Sequence, residues 1–250
     1  MAGEPTGGAG LPDASPARIA TILARHAPGA AVEALGDPAR RELEAGGSTS
    51  VQAIAVVGDL RLSGFVLREA VSTALYARFV VGFTEAVRSL SADQRGWFDK
   101  FTGDGFLAFW LYPDEGSIPT ELVSEFCESV LPASSRLVTN LRRNSRNFPT
   151  GVGLALGLDA GPCELVRIGD AVTVVGSPVV GATRMASGAR AGEVIVNVHL
   201  GDLLKLEPRR LESRGLNLEG AVVRTKEYPE GQEAYRLLLP AEPREPALAA

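Results

Sequence analysis

Two stretches of the sequence decide the fold: VQAIAVVGD at residues 51–59 and GWFDKFTGDGFLAFWL at residues 96–111. The first is an apolar, β-branched run that ends in an acidic residue, which is typical of a buried strand. The second has two short apolar segments on either side of Gly103-Asp104-Gly105, which predicts a β-hairpin. Together they predict three strands, with one aspartate at a strand end and another at a hairpin tip.

Helices and further strands surround these stretches. Residues 66–90 and residues 119–144 carry apolar side chains at helical spacing, which predicts two long amphipathic helices. The order strand, helix, hairpin, helix, strand is the βαββαβ pattern of a ferredoxin-like α+β sandwich. The other predicted elements are a strand, a turn and a second strand within 151–168, a strand that passes into a helix at 171–187, a strand at 193–200, and a strand in AYRLLL near the C-terminus.

The chain divides into one folded domain with short extensions. Residues 1–15 are rich in Gly, Pro and Ala and are expected to be disordered, and the same is expected of the tail at 241–250. Residues 16–47 predict a small helical extension that is closed by glycines. The folded domain is expected to occupy residues 48–240.

Composition excludes several classes of function. The chain has 250 residues and a net charge of -5, and nucleic-acid binders usually carry a basic excess, so no nucleic-acid partner is expected. No stretch approaches the length of a membrane span, and the N-terminus lacks the pattern of a signal peptide. Two cysteines are too few for a disulfide scaffold. These features indicate a soluble, cytoplasmic protein.

Asp59 and Asp104 are the candidate metal ligands. In a ferredoxin-like sheet, the end of the first strand and the tip of the following hairpin lie side by side. Two neighbouring carboxylates repel each other unless a divalent cation binds between them, and Mg²⁺ prefers oxygen ligands. The alternative is that each aspartate accepts hydrogen bonds from backbone groups of its own turn.

Three motifs resemble those of the class III adenylyl and guanylyl cyclases. AVVGDLRLSG resembles the first metal-binding motif of that family. FDKFTGDGFLAFW resembles the second, in which a lysine precedes a Gly-Asp pair and an apolar strand. TVVGSPVVGATRM resembles the third. The motifs occur in the family's order and span roughly residues 51–240, which implies the cyclase catalytic-domain fold.

The resemblance implies a role for individual residues. Asp59, Asp104 and the carbonyl of Leu60 would hold two Mg²⁺ or Mn²⁺ ions, and Arg184 would stabilise charge on the phosphoryl group in the transition state. Lys100 would donate a hydrogen bond to the base of a nucleoside triphosphate, and guanine is disfavoured because guanine-specific relatives usually carry an acid there. The family's sites combine residues of two subunits, so a homodimer with two composite sites is expected.

The third motif departs from the family pattern at two positions. Val180 stands where the family has an asparagine that contacts the ribose or a phosphate. The second base-contacting position of the family falls on Ala171, and Asp170 and Thr173 are the neighbouring residues that can take its place.

Two further departures lie at the phosphate and metal ends of the site. Glu219 stands in place of a phosphate-binding lysine, for which Arg224 or Lys226 can substitute. Arg61-Leu62-Ser63 replaces the family's common Gly-Phe-Thr.

The departures leave two explanations open. Either the domain is a degenerate cyclase that binds nucleotide without turnover, or it has a remodelled base pocket. The retained metal pair, Lys100 and Arg184 favour a remodelled pocket, similar to that of the bacterial pyrimidine cyclases of anti-phage (Pycsar) signalling. That resemblance implies conversion of UTP to cyclic UMP and pyrophosphate, with cytidylate or adenylate cyclase as alternatives.

Overall fold

The computed structural model describes residues 37–45, 47–113, 117–168 and 171–240. The termini expected to be disordered, 1–15 and 241–250, lie outside the described residues, as does the first predicted helix after residue 16. The second predicted helix of the extension is present as α1 (Asp37–Glu44). The described part of the chain has the α+β architecture that the sequence predicts.

A single mixed sheet organises the molecule. Its described strands follow the order β2-β3-β1-β4-β6-β8-β7, with β5 paired to β4. All neighbours are antiparallel except β4 and β6, which are parallel. The segment β2-β3-β1-β4 is the ferredoxin-like core expected from the βαββαβ pattern. The strands are β1 (Ser48–Arg61), β2 (Trp97–Phe101), β3 (Gly105–Tyr112), β4 (Gly153–Ile168), β5 (Ala171–Val175), β6 (Val194–Asn197), β7 (Asn217–Val223) and β8 (Gln232–Leu238).

Helices and β5 cover the two faces of this sheet. Because successive side chains of a strand point to opposite faces, Val56 packs with Phe83 and Phe126 of the long helices, and its neighbour Ala55 packs in the cluster that contains Val174 of β5. No helix in the described ranges is long and apolar enough to cross a membrane. The remaining helices are α2 (Ser63–Glu69), α3 (Thr73–Asp93), α4 (Thr120–Arg143), α5 (Ser177–Gly188), α6 (Val198–Lys205) and α7 (Pro208–Ser213).

The single helix predicted at 66–90 is wrong, because the segment forms two helices, α2 and α3. The break lies at Ala70–Ser72, where Ala70 has an extended ψ of 139°. Ser72 begins α3, and its side chain accepts a hydrogen bond from the backbone N of Leu75. Serine is favoured at this capping position, and here it starts a new helix within the apolar pattern.

The turn predicted within 151–168 is also wrong. The whole segment from Gly153 to Ile168 is one strand, and β1 pairs with it from Arg61–Gly153 to Ser48–Val166. The long β1 ladder supplies partners for the backbone on both sides of Gly161, so the chain continues straight through it.

The strand predicted at 193–200 is correct only as far as Asn197. There the side chain of Asn197 accepts a hydrogen bond from the backbone N of Val198, and α6 begins. An N-capping asparagine therefore ends the strand four residues after it starts.

Candidate active site

The backbones that carry Asp59 and Asp104 are hydrogen-bonded to each other. Asp59 on β1 pairs with Gly105 on β3, and the N–H of Leu60 donates to the carbonyl oxygen of Asp104 at 3.0 Å. The structure therefore brings together the two acidic residues and the peptide of Leu60, which the sequence predicts as one site.

Gly105 permits this close approach. A Cβ at this position would lie 2.1 Å from the carbonyl oxygen of Gly58. Any other residue at 105 would force the hairpin away from β1. The glycine after the second aspartate thus holds the two acidic positions together.

Arg61 neutralises Asp59. Its Nη1 donates to Asp59 Oδ2 at 2.5 Å and to the carbonyl oxygen of Ser187, near the end of α5, at 3.2 Å. Both side chains of the ion pair are about one-third exposed, at 34% for Arg61 and 32% for Asp59. This ion pair links the first acidic position to α5, and the resemblance did not predict it.

Asp104 has a different set of neighbours. Its Oδ2 accepts a hydrogen bond of 2.5 Å from the hydroxyl of Ser63, the first residue of α2. Burial, and then the negative charge of Asp104, raise the pKa of Tyr76 on α3. Asp104 is therefore near enough to the helical layer for its charge to act on a tyrosine there.

The donor atoms at this site suit a hard divalent cation. Two carboxylates and the carbonyl of Leu60 are the oxygen ligands that Mg²⁺ and Mn²⁺ prefer. The described residues contain no group of three or more His, Cys, Asp or Glu side chains that could hold a metal alone. A cation here needs oxygens of another molecule, as Mg²⁺ does when it binds through carboxylates and substrate phosphates.

Lys100 and Thr173 meet on the other side of the hairpin. Lys100 Nζ donates to Thr173 Oγ1 at 3.0 Å, and Thr173 Oγ1 donates to a carboxylate oxygen of Asp99. Of the positions considered for the second base contact, Thr173 therefore contacts Lys100. Ala171 has no polar side chain with which to do so, and Asp170 lies outside the described residues.

Arg184 lies on α5 and is held by the turn between β7 and β8. Its Nε donates to Glu227 Oε2 at 2.8 Å, and its guanidinium carbon lies 5.2 Å from the ring centroid of Tyr228. The hydrogen bond that Arg184 donates to Glu227 raises the pKa of Arg184. The arginine is thus charged at every physiological pH, and its side chain is one-third exposed, at 34%.

A glycine of β4 lets α5 lie directly on the sheet. A Cβ at Gly157 would be 2.1 Å from both the carbonyl oxygen of Ala182 and the backbone N of Ala186. Gly157 therefore sets how closely the helix that carries Arg184 packs against the sheet.

Val180 is the solvent-facing residue one turn before Arg184. It is 49% exposed, and residues four apart lie on the same face of a helix. A polar side chain at 180 would therefore lie beside Arg184. Val180 instead presents an apolar side chain to solvent at this position.

The basic residues near the C-terminus differ in their placement. A Cβ at Gly188 would lie 3.3 Å from the carbonyl oxygen of Arg224, so Arg224 runs beside the end of α5, whereas Glu219 lies on β7 with its carboxylate 4.0 Å from Arg236. Arg224 and Lys226 are both exposed. Of the two substitutes for the missing lysine, Arg224 is the one whose backbone lies against α5.

Sequence reasoning missed three residues that contact the predicted site residues. Asp99 carried a detectable signal, since an acidic residue stands beside Lys100 in the otherwise apolar strand WFDKF. Glu227 and Tyr228 carried no such signal in the sequence. They lie in a polar turn that is distant from α5 in the chain and contacts it only in the folded structure.

Solved nucleotide cyclase domains share this fold. The adenylyl cyclase CyaB from P. aeruginosa matches 78% of this chain and 97% of its own, with 17% identity and a TM-score of 0.62. The guanylyl cyclase Cya2 matches 81% of this chain and 99% of its own, with 16% identity and a TM-score of 0.59. The guanylate cyclase domain of RhGC from Catenaria anguillulae, solved in complex with GTP, matches 76% and 98%, with 13% identity and a TM-score of 0.58.

No protein-family model matches the sequence, and no curated protein matches it either. These three structures are less than one-fifth identical to this chain, so they establish the fold and leave the activity to be argued from the site. The fold is that of the class III cyclase catalytic domain.

Proposed function

We propose that this protein is a metal-dependent nucleotidyl cyclase that converts UTP to cyclic UMP and pyrophosphate. The observation that carries the proposal is the hydrogen bond between Leu60 and Asp104, which holds both acidic positions together at one end of a cyclase fold. The contact between Lys100 and Thr173 supports it, because it joins a lysine of the hairpin that carries Asp104 to a hydroxyl of β5 and so provides a base-contacting pair.

Asp59, Asp104 and the carbonyl of Leu60 would hold two Mg²⁺ or Mn²⁺ ions. The chemistry supplied there is activation of the ribose 3′-hydroxyl and neutralisation of the triphosphate. The 3′-oxygen forms a bond to the α-phosphorus and its proton passes to solvent, while the bond to the β-phosphate oxygen breaks and pyrophosphate leaves. Arg184, whose planar guanidinium suits phosphate oxygens, stabilises the charge on the phosphoryl group.

Lys100 and Thr173 form a complementary pair for uracil. The ammonium of Lys100 only donates, so it takes O4 of the base, and Thr173 Oγ1 can accept from N3–H. Cytosine and adenine offer an accepting ring nitrogen and a donating amino group instead. The same two side chains would therefore have to bind different positions on these bases.

A homodimer with composite sites is part of the proposal. Four of the exposed large hydrophobic side chains lie on the β4–β5 arm and around α5, which is where we place the contact between the two protomers. These side chains are Ile168, Val175, Val180 and Tyr228, which are 64%, 56%, 49% and 42% exposed. In this arrangement, the acidic residues of one protomer face Lys100, Thr173 and Arg184 of its partner.

The biological role that we infer is production of a second messenger in anti-phage defence. The support is the resemblance to pyrimidine cyclases. The two cysteines are free and buried, which fits the reducing cytoplasm.

A mixed-substrate incubation tests the base assignment. The purified dimer is given equimolar ATP, GTP, CTP and UTP with Mn²⁺, and the products are resolved by mass spectrometry. Cyclic UMP as the main product supports the assignment. Cyclic AMP or cyclic CMP in its place would retain the cyclase mechanism and overturn the choice of base.

A second candidate function is a nucleotide-binding module without turnover. Val180 in place of a polar residue and Arg61 paired with Asp59 favour it. Under this alternative, the mixed incubation yields no cyclic product although a folded dimer binds UTP. It also predicts that Arg184→Ala leaves this nucleotide affinity unchanged.

A further inference from the structure

Asp99 is the extra residue of a β-bulge in β2. Phe98 pairs with Ala108 of β3, but Lys100 pairs with Leu107, so the register shifts by one residue between them. In a regular strand, Asp99 and Lys100 would point to opposite faces. The bulge instead allows both side chains to contact Thr173 on β5.

The hydrogen bonds within this group have only one consistent direction. An ammonium can only donate and a carboxylate can only accept, so the single hydroxyl proton of Thr173 goes to Asp99. Thr173 Oγ1 then accepts from Lys100 Nζ at 3.0 Å, and Lys100 Nζ also lies 3.3 Å from Asp99 Oδ2. Asp99 therefore fixes both the hydroxyl and the ammonium.

Burial separates Asp99, which does not reach the nucleotide, from Lys100, which contacts the base. The side chain of Asp99 is 3% exposed, whereas that of Lys100 is 50% exposed. Thr173 is also buried, at 5%. The buried carboxylate of Asp99 and hydroxyl of Thr173 hold one side of the Lys100 ammonium, and the other side of the ammonium faces solvent.

We propose that Asp99 is a positioning residue for base recognition, which acts by holding Lys100 through Thr173 and through the direct ion pair. This inference rests on the proposed function in one respect, that the base of the nucleotide lies against Lys100. A freely rotating lysine would contact any acceptor nearby, whereas a lysine held on two sides presents a donor at one place. Asp99 and Thr173 thus restrict the Lys100 ammonium to one position, so that it can distinguish between bases.

Nucleotide binding without turnover tests this inference. The probes are a non-hydrolysable UTP analogue with an imido bridge between its α- and β-phosphates, and inorganic tripolyphosphate, which lacks a base; both are titrated with Mn²⁺ by calorimetry. Asp99→Asn is expected to weaken binding of the uridine analogue about tenfold, the equivalent of one hydrogen bond to a charged group. Binding of tripolyphosphate is expected to remain unchanged.

Variants at Thr173 keep the test informative if Asp99→Asn does not fold. Thr173→Val removes the hydroxyl at nearly constant volume and is expected to weaken binding of the analogue at least as much. Thr173→Ser restores the hydroxyl and should regain most of the binding that Thr173→Val loses. Asp159→Asn is the control, because Asp159 is also a buried acid but lies under α5. Its Oδ2 accepts a hydrogen bond of 2.7 Å from the side-chain amide of Asn197. This control variant should lower the melting temperature without selective loss of the uridine analogue.

The outcomes separate this inference from the cyclase proposal. Equal weakening of both probes, or unchanged binding of both in Asp99→Asn and Thr173→Val, would overturn the role of Asp99. A selective loss of the uridine analogue in a protein that forms no cyclic product would support that role and reject the cyclase. A wild type that binds neither probe would overturn both proposals.

Discussion

Lys100 Nζ lies 3.0 Å from Thr173 Oγ1, and 73 positions separate the two residues in the chain. The contact joins β2 to β5, and β5 leads directly into α5, which carries Arg184. Lys100, Thr173 and Arg184 therefore belong to one structural unit of a protomer. Asp59 and Asp104 form a second unit, at the ends of β1 and the hairpin.

These two units predict complementation between inactive variants. Asp59→Ala and Arg184→Ala homodimers are each expected to lack cyclase activity. When the two are mixed and allowed to exchange subunits, half of the dimers are mixed and each has one intact site, so about a quarter of the wild-type activity should return. The rate of cyclic nucleotide formation measures this.

Lys100→Ala mixed with Arg184→Ala is the matched control. Both changes fall in the same unit, so every site of a mixed dimer carries one defect and activity should stay absent. Recovery of activity in this control, or no recovery when Asp59→Ala is mixed with Arg184→Ala, would contradict the composite site.

Arg61→Gln is expected to increase affinity for Mn²⁺. The Arg61 guanidinium donates a hydrogen bond to Asp59 Oδ2, so a metal ion that binds the same carboxylate must compete with it. An ion pair that is one-third exposed contributes up to about 1 kcal/mol, so the gain should be about fivefold or less. Electron paramagnetic resonance of free Mn²⁺ measures the binding directly.

The ion pair between Arg210 and Glu207 offers a control for Arg61. It lies at α7 and has a similar N–O distance of 2.5 Å. Arg210→Gln should leave Mn²⁺ affinity as it is in the wild type. Weaker Mn²⁺ binding by Arg61→Gln would instead mean that the arginine supports the metal site.

Val180→Asn is expected to raise the turnover number about tenfold. An amide there would lie one turn from Arg184 and can donate to the ribose or to a phosphate oxygen, and a hydrogen bond to a charged group contributes about 1.5–3 kcal/mol. Steady-state kinetics with UTP measures the change. Val81→Asn, on the exposed surface of α3, is the control, because Val81 is 55% exposed and lies on a different helix from Arg184. An unchanged or lower turnover number in Val180→Asn would show that the site works without this contact.

Gly157→Ala is expected to destabilise the fold and displace Arg184. The new Cβ would meet the backbone of α5 at 2.1 Å, and overpacking of this kind costs about 1–3 kcal/mol. The free energy of unfolding in urea measures the cost. Gly220→Ala on β7 is the matched strand control, since a Cβ there meets nothing within 4 Å. Equal stability of the two variants would contradict the close seating of α5.

The sequence predicted the order of the core elements because apolar periodicity and turn residues are local signals. It therefore located β1, the hairpin and the long helix α4 (Thr120–Arg143) to within a few residues. It did not predict the break at Ser72, since the apolar spacing continues across it. It also placed a turn within residues 151–168, where the ladder with β1 outweighs the local preference for a turn.

The candidate site was predictable only where its residues stand in motifs. Asp59, Asp104, Lys100 and Arg184 could be named because each has a recognisable sequence context. The partners that hold them could not, because the pairs Arg184–Glu227 and Lys100–Thr173 join segments that are remote in sequence. The choice of Thr173 over Ala171 depends on which residue of β5 reaches the lysine, and this follows from the pairing of β5 with β4.

The measurement that tests the central claim most directly is cyclic nucleotide and pyrophosphate formation by the wild type, Asp59→Asn and Asp104→Asn, each supplied with a single nucleoside triphosphate and Mn²⁺. Asp93→Asn, at the exposed end of α3, serves as the charge-matched control. We expect equal amounts of cyclic UMP and pyrophosphate from UTP with the wild type and Asp93→Asn, and at least about a thousandfold less with the two site variants. Undiminished product in either site variant, or no cyclic product from any nucleotide with a folded, dimeric wild type, would contradict the account.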